Sequence, residues 1–183
     1  EYSKERGIPF QMYNVTPDNF DMLEEWYPGR FQIEYNRDLA DYVYEAGKLA
    51  TLSGKKLHGK RNHIARFKDS GDWSYEPMTA ENVEECRTMT YTWIHMREEK
   101  WNEEMNQEIS VLHEAFDHMQ ELGLVGGVLR RDGQIVAFSI GERLNSETFV
   151  VHFEKAYPDL QGAYPMINQQ FVLHECEGYA YVN

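Results

Sequence analysis

Apolar residues recur at alternating spacings of four and three from Met105 through Ile109, Leu112 and Phe116 to Met119, the period of a helix with one buried stripe. The stripe predicts a helix over 103–122, and Gly123 supplies its C-terminal stop. Past Gly123 the period changes from 3.6 to 2. Residues 124–131 and 134–141 alternate around Asp132-Gly133, a strong two-residue hairpin signal. A third strand is expected at 148–155, then a loop at 157–162, a helix at 163–177 with Ile167, Phe171 and His174 on one face, and a closing strand at 179–182.

Upstream, Thr79 precedes a helical pattern with Val83, Cys86, Thr90 and Trp93 inward, after a short strand at 73–76. Residues 57–68 predict a helix with a narrow apolar strip of Leu57, Ile64 and Phe67. The opening of the chain reads as strand (8–15), helix from Thr16-Pro17, then strands at 31–35 and 42–45. Gly47 to Gly54 is the expected boundary, dividing a unit at 1–50 from one at 51–183. The chain starts within a helix end and stops after a strand-like run, as expected of a segment of a longer protein. "REEKWNEE", 97–104, reads as an exposed acidic bend.

Composition adds 25 aromatic residues and a hydrophobic share of 42%, enough for a packed core in a chain of 183 residues. No apolar stretch approaches the roughly 18 to 20 residues of a membrane span. Cys86 and Cys176 lie far apart without metal spacing, which fits two buried thiols in a reducing cytoplasm, and no metal motif is present.

Charge changes the picture locally. The net charge is -13, yet six of the 18 Lys and Arg fall between Lys55 and Lys68, where no carboxylate occurs. The rest of the chain repels polyanions, which argues against a protein that wraps duplex DNA. Salt screens that field within about 8 to 10 Å, so the basic segment is suited to a focused phosphate or carboxylate. Lys56, Lys60, Arg61, Asn62 and His63 are its candidate contacts, with Arg61 and Asn62 weighted most because Arg binds phosphate bidentately and Asn bonds a sugar or amide. The bland alternative is a solvated helix paired to surplus carboxylates.

Strict alternation over 148–155 places His152 and Glu154 on one face, a pair able to take a proton from an attacking amine or hydroxyl. Lys155, on the other face, is suited to an anion. Asn168, in the second turn of the last long helix, is a candidate for fixing a polar substrate.

Three segments carry a family resemblance: "LSGKKLHGKRNHIARF" from Leu52, "GLVGGVLRRDGQIVAFSIGERLNSETFVVHFEKA" from Gly123, and "QGAYPMINQQF" from Gln161. In order and spacing they resemble the family related to the C-terminal domain of phosphatidylglycerol lysyltransferase. That resemblance implies an α/β (α+β) fold built from tandem GNAT-like acyltransferase units, with a mixed, mostly antiparallel sheet flanked by helices. Residues 1–50 would close a first unit and 51–183 open a second. It implies transfer of an activated aminoacyl or acyl group to an amine or hydroxyl, with Glu154 and His152 as catalytic candidates. An aminoacyl-tRNA donor is implied, its acceptor end or a phospholipid head group meeting the basic segment, in a protein that is cytoplasmic or peripheral to the membrane. The turn before the last helix, with Gln161, Gly162 and Ala163, would offer its amides to an anion. Coenzyme-A users of that fold show Gln or Arg, two residues, Gly, one residue, then Gly or Ala. Here Asp159 and Tyr164 stand at the outer positions, so coenzyme A is disfavoured. Two other functions stay open: a non-catalytic module binding an anionic ligand, and a coenzyme-A-dependent N-acetyltransferase with an unusual loop. Nothing in the sequence fixes an oligomeric state.

Overall fold

The computed structural model describes residues 1–97 and 102–183, the side chain of Leu39 excepted. The chain divides into two compact units, Glu1–Ala40 and Asp41–Asn183. The first holds two helices, α1 (Tyr2–Glu5) and α2 (Pro17–Trp26), and a 3-10 turn at Arg37–Leu39. Thr16 caps α2 by accepting from the Asn19 amide at 3.4 Å, with Pro17 at the first helical position as expected. The strands expected at 8–15 and 31–35 are irregular backbone. A β-prone run becomes a strand only where a partner supplies its hydrogen bonds, and none does so among the described residues of this unit. None of its described side chains is buried.

The second unit is a mixed α+β structure around one six-stranded sheet. In chain order it runs β1 (Tyr44–Glu45), α3 (Ala46–Thr51), a 3-10 turn (Lys55–Leu57), α4 (His58–Asp69), β2 (Trp73–Pro77), α5 (Val83–His95) and α6 (Glu103–Leu122). It continues with β3 (Val125–Arg131), β4 (Gln134–Arg143), β5 (Thr148–Ala156), α7 (Ala163–Glu175) and β6 (Tyr181–Val182). The spatial order is β1-β6-β5-β4-β3-β2, every pairing antiparallel except β5 with β6. From β2 onward the elements follow the expected order. Asp132 and Gly133, both at positive φ, turn the β3–β4 hairpin. The expected boundary at 47–54 is occupied by α3, whose Leu49 is buried with Phe149 and Phe171. Of the expected acidic bend at 97–104, residues 98–101 lie outside the described residues.

Two apolar layers sandwich the sheet. On one face α5 and α6 bury Cys86, Met89, Trp93, Leu112 and Phe116 against Val128, Phe138 and Ile140. On the other, α4 and α7 bury Ile64, Phe67, Met166 and Ile167 against Leu129 and Ala137. A third cluster around Phe149, Phe171 and Val182 seats β6 and α3. Among the described residues, no helix is long and apolar enough to cross a membrane.

Two features of the sheet shape the surroundings of β5. First, β5 pairs with β6 only at Thr148 and Phe149, with further bonds from the Asn183 amide to the Phe149 carbonyl at 2.9 Å and from the Val151 amide to the Asn183 carbonyl at 3.2 Å. The rest of that edge of β5 has no strand beside it among the described residues. Second, the β4–β5 register slips: Ile140 faces Phe153 while Gly141 faces Val151, leaving His152 as the extra residue of a β-bulge.

Candidate functional site

The bulge decides which side chains of β5 share a face. Phe153 packs with the α5/α6 layer, and Lys155 bonds Glu108 of α6. Glu154 turns to the other face and accepts from Asn168 of α7. His152 bonds Glu142 of β4 at 2.9 Å and shares none of the partners of Glu154. The alternation that would put His152 beside Glu154 therefore fails, because one inserted residue reverses the parity of a strand.

Glu154 is held on one oxygen. Oε2 accepts from Asn168 Nδ2 at 2.9 Å and from the Ser139 hydroxyl at 3.4 Å, Ser139 being wholly buried on β4 directly across the ladder. Oε1 has no hydrogen-bond partner among the described residues, and the side chain keeps partial solvent exposure. Burial raises its pKa above the ordinary carboxylate value, opposed by the Asn168 bond, the charge of Lys60 and the Ser139 bond. Those properties suit a proton acceptor. Sequence reasoning misses Ser139, whose only signal is a lone hydroxyl in the apolar run 135–140.

The basic helix and the turn before α7 come together. Gly162 adopts φ +89, and a Cβ there would lie 2.3 Å from the His63 carbonyl oxygen and 3.0 Å from Phe67 Cβ. Its missing side chain is what lets α4 pack against the start of α7. Gln161 Nε2 lies 3.4 Å from His63 Nδ1. Ala163 is buried in the α4/α7 core. A shallow open depression of about 410 Å³ is lined by Arg66, Asp69, Ser70, Leu160 and Gln161. Arg66 belongs to the basic segment and Leu160 and Gln161 to the turn, but Glu154 does not reach this depression.

Other expected residues have internal employment. Arg61 Nη1 donates to the carbonyls of Leu52 and Gly54, the latter at 2.9 Å, and so ties down the left-handed end of α3. Asn62 Nδ2 meets His58 Nε2 at 3.2 Å along one side of α4. Lys155 is buried, with Nζ 2.5 Å from Glu108 Oε1 and 4.5 Å from the centre of the Trp93 ring. Tyr164 accepts from Trp93 Nε1 at 3.2 Å, and Asp159 is exposed in the turn. Lys55, Lys56 and Lys60 are exposed. Among the described residues, no side chain of 52–68 forms an ion pair, although ten such pairs occur elsewhere in the chain. No three His, Cys, Asp or Glu among the described residues converge as a metal cluster.

A mixed sheet with this helix order and this edge defines a class, and comparison with known proteins supplies the family. The chain belongs to the family described as phosphatidylglycerol lysyltransferase, C-terminal, whose model matches residues 1–183. A conserved protein of unknown function from Bacteroides thetaiotaomicron VPI-5482 is similar in structure at TM-score 0.88 and 38% identity, over 100% of this chain and 62% of that one. The C-terminal domain of a candidate lysylphosphatidylglycerol synthetase from Agrobacterium fabrum shares the fold at TM-score 0.52 and 17% identity, over 77% of this chain and 44% of that one. An uncharacterised protein of Mycoplasmoides gallisepticum (strain R(low / passage 15 / clone 2)) is 26% identical over 138 residues, which is 73% of this chain and 44% of that protein. The chain thus spans less than two thirds of the length of each.

Proposed function

We propose that the chain is part of an aminoacyl or acyl transferase of GNAT-like architecture. It would move an activated acyl group from a phosphate-rich donor, an aminoacyl-tRNA acceptor end being the favoured form, to an amine or hydroxyl. The observation that carries this reading is the basic helix, whose side chains form no ion pair among the described residues. In a protein with 31 carboxylates, cations left without ion pairs retain their field for an outside anion. That helix packs on the turn opening α7, and its Lys60 acts electrostatically on Glu154. The family name, a lysyltransferase, supports aminoacyl transfer as the chemistry.

In the proposed step the acceptor binds at the open edge of β5 and attacks the ester carbonyl while Glu154 Oε1 takes its proton. The tetrahedral intermediate then collapses, the acyl–oxygen bond breaks, and the departing alkoxide recovers the proton from Glu154. Asn168 and Ser139 hold the carboxylate in one rotamer throughout. A lipid head group as acceptor, and with it a location at the membrane periphery, belongs to the same proposal.

Incubation of the protein with aminoacyl-tRNA carrying a labelled amino acid, and with either phosphatidylglycerol vesicles or primary amines, tests the reading. Transfer should fall about 10²- to 10⁴-fold in Glu154→Gln, the usual share of a general base. Undiminished transfer in that variant overturns the role of Glu154. Salt-sensitive RNA binding with no transfer from any donor favours the non-catalytic module. A thermal shift with coenzyme A favours the acetyltransferase.

A further inference from the structure

We propose that Glu154 binds a primary ammonium group of the substrate through its open oxygen, Oε1, an inference that deepens the transferase reading and rests on the same site. Two other enclosed charges in this unit are paired. Lys155, the next residue, has Glu108 at 2.5 Å, and half-buried Arg130 has both Glu76 at 2.9 Å and Glu85 at 2.7 Å. Glu154 differs. Its Oε2 receives two neutral donors, and no cation lies within ion-pair distance among the described residues. Lys60 exerts its field from beyond that distance.

A carboxylate drawn out of water with one oxygen tied and the other free is half of an ion pair. Its natural complement is a charged donor, because bonds to ionised groups are shorter and roughly twice as strong as neutral ones. An ammonium supplies charge and three N–H donors, whereas a hydroxyl supplies one neutral O–H. The edge of β5 beside Glu154 has no neighbouring strand among the described residues, so an alkylammonium can approach Oε1 along the strand. Before an acceptor ammonium can attack a carbonyl it must lose a proton; Oε1 takes that proton and returns it to the departing alkoxide, and the proton left on nitrogen after attack passes to solvent.

The ammonium could sit on the acceptor or on the transferred acyl group, and the test separates the two. The ¹⁵N signals of the Asn168 side-chain amide report on Glu154 without requiring turnover. The wild-type chain and Glu154→Gln are titrated with n-propylamine, alanine methyl ester and glycerol. One or both amines should move the Asn168 signals saturably in wild type. Binding should weaken at least about tenfold in Glu154→Gln, the loss expected when a charged bonding partner becomes neutral. Tighter binding of n-propylamine assigns the ammonium to the acceptor; tighter binding of the ester assigns it to the acyl group. Glu154→Asp, which keeps the charge, should retain more affinity than Gln and guards against a folding artefact. Amines that leave Asn168 unmoved, bind Glu154→Gln equally, or bind no better than glycerol overturn the proposal. Transfer to a hydroxyl without amine binding would sink this inference and leave the transferase reading standing; amine binding without transfer would do the reverse.

Discussion

Asn168 on α7 donates to Glu154 on β5 at 2.9 Å, joining the helix to the strand at the place where β5 loses its neighbour. The bond favours the charged carboxylate, but burial outweighs it and the pKa is raised. The folded state therefore binds the Glu154 proton more tightly than the unfolded state does. Ionising Glu154 costs folding free energy above the folded pKa, and the cost vanishes as pH falls through it. Glu154→Gln should accordingly raise the thermal midpoint at pH 7 to 8, by an amount worth about 1 kcal/mol or less. The gap to wild type should close on acidification. Melting curves from pH 4 to 8 check this, and a variant less stable at pH 8 would show that the charged form is net favourable.

Gly162 and His63 make a second junction, between the start of α7 and α4. A methyl group at Gly162 meets a backbone carbonyl at 2.3 Å and must also adopt φ +89, so neither chain can yield cheaply. Gly162→Ala should lose at least about 2 kcal/mol, strain and clash together. Urea denaturation measures it. A loss under half that size would mean that α4 slides aside.

What could be read from the sequence divides along physical lines. The amphipathic stripe of α6, the Asp132-Gly133 hairpin and the order of elements from β2 onward depend on local periodicity and turn chemistry, and they are as expected. The packing of the basic helix on the turn at Gly162 is a tertiary contact that no local pattern announces. The bulge at His152 is invisible in sequence, since an inserted residue looks like any other in a strand and shows itself only against β4. With it goes the parity of His152 and Glu154. The open Oε1 depends on Ser139 and Asn168, which lie 15 and 14 residues from Glu154 in sequence, and no local pattern encodes such a pairing. The expected strands at 8–15 and 31–35 fail for the complementary reason: β-propensity is present but no partner strand is, among the described residues.

Lys155 and Glu108 form the ion pair on the far face of β5. Lys155 is buried beside Trp93, while Glu108 remains partly exposed. Removing only the carboxylate leaves a cation in an apolar layer. Glu108→Gln should cost about 1 to 3 kcal/mol, less than the 3 to 5 typical of fully buried pairs. Lys155→Met in the Glu108→Gln background should recover part of that loss, because the orphaned charge is gone. Chemical denaturation of the two single variants and the double variant gives the coupling. Additive losses would mean that the pair carries no energy of its own.

Cys86 is a free thiol enclosed in the α5/α6 layer of the second unit, and Cys176 is one enclosed in the third cluster, with Phe149, Phe171 and Val182. Burial pushes the Cys86 thiol, and likewise that of Cys176, up to about 12. Both should resist alkylation at pH 8 in the native chain and react fully in denaturant. In the unfolded chain these thiols ionise near their ordinary pKa while the native ones do not, so their contribution to stability falls as pH rises above about 8.5. Mass spectrometry after iodoacetamide treatment gives the answer, and modification of either thiol in native protein would place it in an opening segment.

Arg61 and the lysines beside it carry the same charge but should behave as opposites. Arg61 spends Nη1 on two backbone carbonyls at the end of α3, so Arg61→Ala removes internal bonds and should cost about 1 to 3 kcal/mol of stability. Lys55 and Lys56 are exposed and form no ion pair among the described residues, so their replacement by Glu should leave the melting temperature within a degree or two, the usual range for surface changes. If phosphates dock on this helix, the Lys55→Glu/Lys56→Glu variant should bind a tRNA acceptor-stem probe more weakly. The slope of log affinity against log salt should also flatten by about 0.7 to 0.9 for each phosphate no longer neutralised. Arg61→Ala should leave that slope nearly unchanged at temperatures where it remains folded. A slope that responds to Arg61 and ignores both lysines would mean that the anion sits deeper, against the end of α3, and that the exposed cations are bystanders.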